Sequence, residues 1–183
     1  MREDLVRRAV ALKCEVSSAR RYMRAVNADA RALLKLLSLD NYELSLVLTG
    51  DSPMRELNRA FRGKDSATDV LSFPQLDNCA ATRRGHHAAD CAVMPAALGD
   101  VVISVDTALR QAERLGVTPE SRLRTLLIHG VLHLLGYDHE KSRTDARRMF
   151  ARERELAAAL ASGEQRFSRS SSTAPLLEKA ESL

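Results

Sequence analysis

The residues of this chain with the clearest capacity for chemistry are three histidines, His129, His133 and His139. Residues four positions apart lie on one face of an α-helix, so His129 and His133 can bind the same ion. Gly136 can end that helix in the left-handed conformation, after which the chain can turn back and bring in His139. Three neutral imidazoles with an open fourth position are typical of a catalytic zinc site. We therefore predict one Zn²⁺ ion bound by these three histidines.

The surroundings of the first two histidines support this prediction and leave two alternatives. Residues 126–135 are otherwise mostly apolar, and imidazoles in such a helix are costly unless they have partners. The ligand spacing equals that of the long zinc motif of metzincin proteases, which carry a glutamate directly after the first histidine as general base. Gly130 occupies that position here, so a zincin-type metallopeptidase is an alternative that lacks its base. Histidines that are merely hydrogen-bonded in the core, or that form a surface pair, are the other alternative.

The elements that must position these side chains follow from periodicity and turn signals. Apolar residues recurring at every second position, or in a continuous run, predict four strands, over residues 9–16, 43–49, 69–74 and 100–105. Helical stripes and caps predict five helices, over residues 18–38, 53–61, 106–115, 119–135 and 142–161. This order predicts a single α+β domain over residues 1–161, in which a mixed four-stranded sheet packs with about five helices, one of them a zincin-like metal helix.

Several local details of these elements can also be predicted. Asp51 or Ser52 is expected to cap the second helix, with Pro53 in its first turn. The last helix is expected to turn four side chains inward, namely Met149, Phe150, Leu156 and Leu160. Residues 76–97 are expected to form an irregular insertion. From Ser162 the chain is serine-rich and aperiodic, which predicts a disordered tail over residues 162–183.

The insertion holds a second group of residues that can bind metals, Cys79, His86, His87 and Cys91. Their spacing, C-x6-H-H-x3-C, matches no compact structural zinc motif. We therefore expect exposed polar residues in the insertion, and a single metal ion in the domain.

Composition restricts the class of partner. Lys and Arg number 28 against 24 Asp and Glu, and the resulting charge of +4 favours a polyanion. Aromatic residues make up only 4% and Trp is absent, which argues against a base-stacking platform as the main recognition device. No apolar run approaches the ~18 residues that span a bilayer, and the first residues lack the apolar core of a signal peptide. We expect a cytoplasmic protein with no membrane partner.

Three motifs occur along the chain in a distinctive order, ELNRAFRGKDSATDVLSFP, LGDVVIS and HGVLHLLGYDH. Together they resemble the YbeY family of bacterial endoribonucleases over residues 9–160. The resemblance implies a zinc-bound enzyme that cleaves single-stranded RNA, acts in ribosomal RNA maturation at the 3′ end of 16S RNA, and serves in ribosome quality control. The expected partners are therefore RNA and components of the small ribosomal subunit, and no DNA partner is expected.

The resemblance also assigns roles to individual residues. It implies that His129, His133 and His139 are the metal ligands. The functionally important arginine of the family falls on Arg62, whose planar guanidinium can bind a phosphate and balance charge in the transition state. The expected catalytic residues are thus Arg62 and His129.

Three points remain open at the level of the sequence. Asp69 and Asp138 are both candidates for the general base, and Asp138 can instead orient a metal ligand or bond local backbone. Attack on the phosphate by zinc-activated water and attack by the RNA 2′-hydroxyl are both possible. A non-catalytic ribosome-assembly factor, in which zinc only stabilises the fold, is a further alternative to the enzyme.

Overall fold

The computed structural model describes residues 10–75 and 96–171, in which the chain forms four strands and five α-helices. The strands are β1 (Val10–Cys14), β2 (Tyr42–Thr49), β3 (Val70–Pro74) and β4 (Ala96–Ser104). The helices are α1 (Met23–Leu36), α2 (Asp51–Arg62), α3 (Val105–Leu115), α4 (Pro119–Leu134) and α5 (Arg143–Ser171). A 3₁₀ turn over Ser17–Tyr22 leads into α1. The predicted α+β domain with a mixed four-stranded sheet and about five helices is confirmed.

The sheet has the strand order β1-β2-β4-β3. β1, β2 and β4 are parallel, and β3 runs antiparallel to β4 at one edge. Pro74 ends β3 on that edge, where a residue without an N–H group is tolerated. β4 therefore lies between a parallel and an antiparallel neighbour, and its apolar run is buried on both faces, as predicted.

The two faces of the sheet pack against different helices. Leu46 and Ile103 point into the main core, which they share with apolar side chains of α1, α4 and α5. Val102 points to the opposite face, where it packs with Met54 of α2 and Leu71 of β3 in a smaller cluster. The sheet is thus covered by the larger helical layer on one side and by α2 on the other.

α4, which carries two of the predicted zinc ligands, is the central helix of the large layer. It packs against β3, β4, α1, α3 and α5. A helix surrounded in this way needs apolar side chains on most of its surface, which accounts for the mostly apolar character of residues 126–135. Thr118 caps it by accepting a hydrogen bond from the N–H of Ser121 at 3.2 Å, and Gly136 follows its end with φ of 85°. Both predicted boundaries are confirmed to within one residue.

β4 begins at Ala96, earlier than the predicted start at residue 100, so residues 96–97 belong to the sheet and not to an irregular insertion. The longer strand was not predicted because Gly99 interrupts its apolar pattern. Its φ is 140°, and the β2–β4 register shifts where it pairs, opposite Leu44. A Cβ at Gly99 would lie 2.3 Å from the carbonyl oxygen of Phe73, so the strand needs a glycine that breaks the apolar pattern.

Three further expectations about the helices are wrong. α2 is capped at Gly50 without a side-chain hydrogen bond, and Asp51 lies inside the first turn. α5 continues to Ser171, past the predicted end at residue 161, and the rest of the predicted tail lies outside the described residues. Phe150 is 43% exposed instead of inward, whereas Met149, Leu156 and Leu160 are buried as predicted.

The cysteine and histidine group at residues 79–91 also lies outside the described residues. Within residues 10–75 and 96–171, no helix is both long enough and apolar enough to cross a membrane.

Asp51 joins the first turns of α2 and α3 at the ends of β2 and β4. Its carboxylate accepts hydrogen bonds from Ser104 Oγ at 2.6 Å and Thr107 Oγ1 at 2.7 Å. Arg110 donates to its other oxygen at 2.6 Å. Burial by itself raises the pKa of Asp51, but the bonds from the two hydroxyls and the guanidinium outweigh burial, so the pKa lies below its ordinary value.

Replacing Asp51 with alanine is expected to destabilise the fold by about 1–3 kcal/mol at pH 7, because Ser104 and its neighbours lose their acceptor. Since folding lowers the pKa of Asp51, this stabilisation is present above the ordinary value of 3.8 and is lost as the pH falls through the lowered value. Urea unfolding at pH 7 and pH 3 measures both effects. Asp40→Ala removes an exposed carboxylate as a control, and an Asp51→Ala penalty of equal size at both pH values would contradict this account.

Candidate metal centre

The structure brings the three predicted histidines together. His129 and His133 lie one turn apart on α4, and His139 follows the Gly136 turn. Their ring centroids are 4.8, 5.1 and 5.2 Å apart. One nitrogen of each ring lies within 4.8 Å of the others. Sequence spacing alone thus predicted this cluster.

The nitrogen positions fit a small divalent ion. Nε2 of His129 and Nε2 of His133 are 3.2 Å apart. Two imidazoles that bind one zinc ion with tetrahedral geometry, each at ~2.05 Å, place their nitrogens roughly 3.3 Å apart. Imidazole nitrogens favour zinc, copper or nickel over magnesium or calcium. The three histidines could therefore hold one metal ion, and the His129–His133 pair already has the nitrogen separation that tetrahedral zinc requires.

The environment of His133 lowers the pKa of its imidazole, which favours the form that can bind a cation. Burial lowers the pKa of its imidazole, and the neighbouring His129 and His139 lower it further. The neutral form of the ring is thereby favoured, and only the neutral form has a lone pair to donate to a metal ion.

Helix α5 contributes a residue that sequence reasoning missed. Oε2 of Glu153 lies 3.1 Å from Nδ1 of His129. In the sequence, Glu153 lies within a run of charged residues that resembles a solvated helix face. The available signal was its position in the apolar stripe, four residues after Met149 and three before Leu156, both buried. A charged residue in such a stripe requires a partner.

The ring of His139 stacks against an aromatic ring of α5. Phe150 stacks on it with 5.8 Å between centroids and 21° between ring planes. This contact explains why an aromatic residue expected in the core is instead partly exposed beside the histidine cluster.

The histidines open into a cleft of about 530 Å³ that runs between β3, the loop after α2 and the loop after α4. Arg62, the last residue of α2, lies in this cleft, so the structure places it with the three histidines. Its guanidinium contacts Glu140 Oε1 at 3.4 Å, and both side chains are exposed. The cleft thus combines a candidate cation site with an accessible guanidinium.

Asp69 also lines the cleft, but its carboxylate is fully occupied. One oxygen accepts from the N–H of Val70 at 2.9 Å and from Thr68. The other accepts from Gln111 Nε2 at 3.1 Å and Arg122 at 3.3 Å. Because four donors already engage its two oxygens, the geometry favours a role for Asp69 in holding the start of β3.

Asp138 makes local contacts. It accepts a hydrogen bond from the N–H of Glu140 at 2.8 Å and lies 3.5 Å from Lys141 Nζ. The backbone bond lowers the pKa of its carboxyl, and Lys141 adds to this effect. Within the described residues, the carboxylate that lies within hydrogen-bond distance of a site imidazole is that of Glu153 on α5.

Comparison with known proteins agrees with this architecture. The family model for endoribonuclease YbeY matches residues 11–161. Endoribonuclease YbeY of Geobacter metallireducens is 48% identical over 132 residues, covering 72% of this chain and 81% of that protein. Endoribonuclease YbeY of Myxococcus xanthus is 47% identical over 147 residues, which cover 80% of this chain but 46% of that longer protein.

A solved structure shares the fold. The solution structure of TM1509 from Thermotoga maritima aligns with a TM-score of 0.58 at 24% identity, covering 92% of this chain and 99% of that one. The family model spans most of this chain, and the relatives are close to half identical to it in sequence. This chain therefore belongs to the endoribonuclease YbeY family.

Proposed function

We propose that this chain is a zinc-dependent endoribonuclease that cuts single-stranded RNA in the maturation of the 3′ end of 16S ribosomal RNA and in ribosome quality control. Family membership supports hydrolysis of RNA phosphodiester bonds. The single observation that carries the metal dependence is the convergence of His129, His133 and His139 in the cleft that also holds Arg62.

The residues of the cleft would bind two different groups, the metal cation and the phosphate of the RNA. The three histidines would hold the zinc ion, which supplies Lewis-acid chemistry by acidifying water and polarising a phosphoryl oxygen. Arg62 presents a planar pair of N–H donors to the phosphate and stabilises the negative charge that develops during cleavage. The net charge of +4 favours the approach of a polyanion.

The metallopeptidase alternative has no support in this cleft. A peptidase of that type needs a glutamate after the first ligand, and Gly130 faces the sheet, where a Cβ would lie 2.7 Å from Val101 Cγ1. The family assignment likewise favours RNA over peptide. We propose a cytoplasmic location and partners in the small ribosomal subunit, in accordance with this substrate.

One experiment tests the proposal directly. Purified protein is analysed for bound metals, and cleavage of a single-stranded RNA ending in the 16S 3′ precursor sequence is measured with and without chelator. We expect one zinc ion per chain, cleavage that stops with chelator and returns with zinc, and little cleavage of duplex RNA or DNA. Chelator-resistant cleavage would overturn the zinc dependence, and metal-loaded protein without cleavage would favour the non-catalytic assembly factor.

The end groups of the products decide between the two modes of attack. A 2′,3′-cyclic phosphate with a 5′-hydroxyl identifies the RNA 2′-hydroxyl as the nucleophile. A 5′-phosphate with a 3′-hydroxyl identifies water, whereas a linear 3′-phosphate also arises when water opens a cyclic phosphate.

The ion pair between Arg62 and Glu140 predicts competition with substrate. Because an incoming phosphate must take the place of Glu140, we expect Glu140→Ala to lower the KM for RNA by about 2- to 5-fold, the equivalent of an exposed ion pair. Steady-state kinetics at low salt measures this change. Glu113→Ala removes an exposed charge on α3 as a control. In an Arg62→Ala background the effect should vanish, and a KM decrease that persists there would contradict the competition.

A further inference from the structure

The hydrogen bond between Glu153 and His129 determines which imidazole nitrogen is free. An ionised carboxylate can only accept, so this contact requires the hydrogen of His129 on Nδ1, and in the neutral ring the lone pair then lies on Nε2. Nε2 is the atom that faces His133 at 3.2 Å. The contact therefore presents the correct nitrogen of His129 to the position between the rings.

The low exposure of the Glu153 side chain suggests that its contact with His129 contributes to metal binding. Its side chain is 16% exposed and that of His129 is 20% exposed. A carboxylate with so little exposure needs hydrogen-bond partners, and Nδ1 of His129 lies at 3.1 Å to supply one. A cation on the far side of the ring makes Nδ1–H a stronger donor, so the pairing becomes favourable when metal is bound.

The neighbouring carboxylate on α5 shows the contrast. Glu155 is 66% exposed and forms an ordinary ion pair with Arg152 at 2.7 Å. Two glutamates two residues apart thus lie in different environments, one turned to solvent and one turned toward the histidine cluster. Glu155 is accordingly a matched control for Glu153.

We propose that Glu153 is a positioning residue of the metal centre, which fixes the tautomer and orientation of His129 and offsets part of the charge of the bound cation. This inference rests on the zinc site of the proposed function. It assigns α5 a role in metal binding as well as in packing.

The test measures zinc affinity directly, by competition with a chromogenic chelator, for wild type, Glu153→Ala, Glu153→Gln and Glu155→Ala. Glu153→Ala is expected to bind zinc about 10- to 100-fold more weakly, since loss of an outer hydrogen-bond partner typically has this effect. Glu153→Gln keeps an acceptor oxygen but loses the charge, so its affinity should be intermediate. Glu155→Ala should match wild type.

Thermal unfolding of the metal-free proteins separates positioning from packing. Because loss of the hydrogen bond to His129 is offset by release of a largely covered carboxylate, metal-free Glu153→Ala should unfold within about 2 °C of wild type. Added zinc should raise the unfolding midpoint of Glu153→Ala by less than that of wild type, because the variant binds zinc more weakly.

The possible failures are distinguishable. A zinc affinity of Glu153→Ala within about twofold of wild type would overturn the positioning role, given the larger loss that such partners normally cause. An equal loss in Glu155→Ala would do the same, because it would reflect the general charge of α5. A wild-type chain that binds no zinc would overturn the proposed function together with this inference.

Discussion

His133→Ala is expected to abolish RNA cleavage while the metal-free domain stays folded. The variant removes one of three nitrogen ligands, and loss of a direct ligand should weaken zinc binding by more than the ~100-fold typical of an outer partner. Removal of the ring leaves the surrounding apolar side chains of α4 in place. Cleavage should fall in step with zinc occupancy, which metal analysis and a single-turnover RNA assay measure on the same sample.

Loss of zinc can lower both activity and stability, so the experiment needs a comparison without metal. Metal-free wild type and metal-free His133→Ala should have similar unfolding midpoints if the site serves catalysis. Ser121→Ala, an exposed position on the same helix, is the control for a change on α4. Full cleavage by a zinc-free His133→Ala protein would contradict the role of the site, and collapse of the metal-free variant alone would favour a structural role.

Substitution of Gly130 by a bulky residue is expected to cause the largest loss of stability. A Cβ at this position would lie 2.7 Å from Val101 Cγ1 and 3.1 Å from Ser72 Oγ, because α4 crosses the sheet here at close approach. Overpacking of this kind costs about 1–3 kcal/mol, and alanine recovers about 1 kcal/mol through its helix propensity. We therefore expect Gly130→Ala to lose roughly 1 kcal/mol and Gly130→Leu to lose about 3 kcal/mol or more.

A second substitution tests the cause of that loss. Val101→Ala removes the methyl group that Gly130→Ala would meet, so the double variant should lose less stability than the sum of the two single losses. Denaturant unfolding of the four proteins measures this coupling. Simple additivity would show that the cost of Gly130→Ala arises elsewhere. The same contact explains why this helix cannot carry a glutamate next to its first histidine.

The histidine cluster and most of the secondary structure could be predicted from the sequence alone. His129 and His133 are neighbours on any helix, and Gly136 permits the turn that brings in His139, so local geometry sufficed to predict the cluster. The order of strands and helices likewise followed from periodicity and caps. Each of these features depends on residues that are close in the chain.

Local patterns were misleading where a contact with a distant residue decided the outcome. Gly99 interrupts the apolar alternation of β4 because the carbonyl of Phe73 on β3 leaves no space for a side chain. Phe150 resembles a core residue in a helical stripe, but it stacks on His139 from outside the core.

Which charged groups lie beside the histidine cluster could be learned from the three-dimensional structure alone. It showed that Asp69 is occupied by four donors, that Arg62 shares the cleft with the histidines, and that Glu153 reaches His129 across 24 residues of sequence. The physical reason is that a charged side chain follows no period of its own. Its role depends on which element packs opposite it, and that packing follows from burial of apolar area over the whole domain.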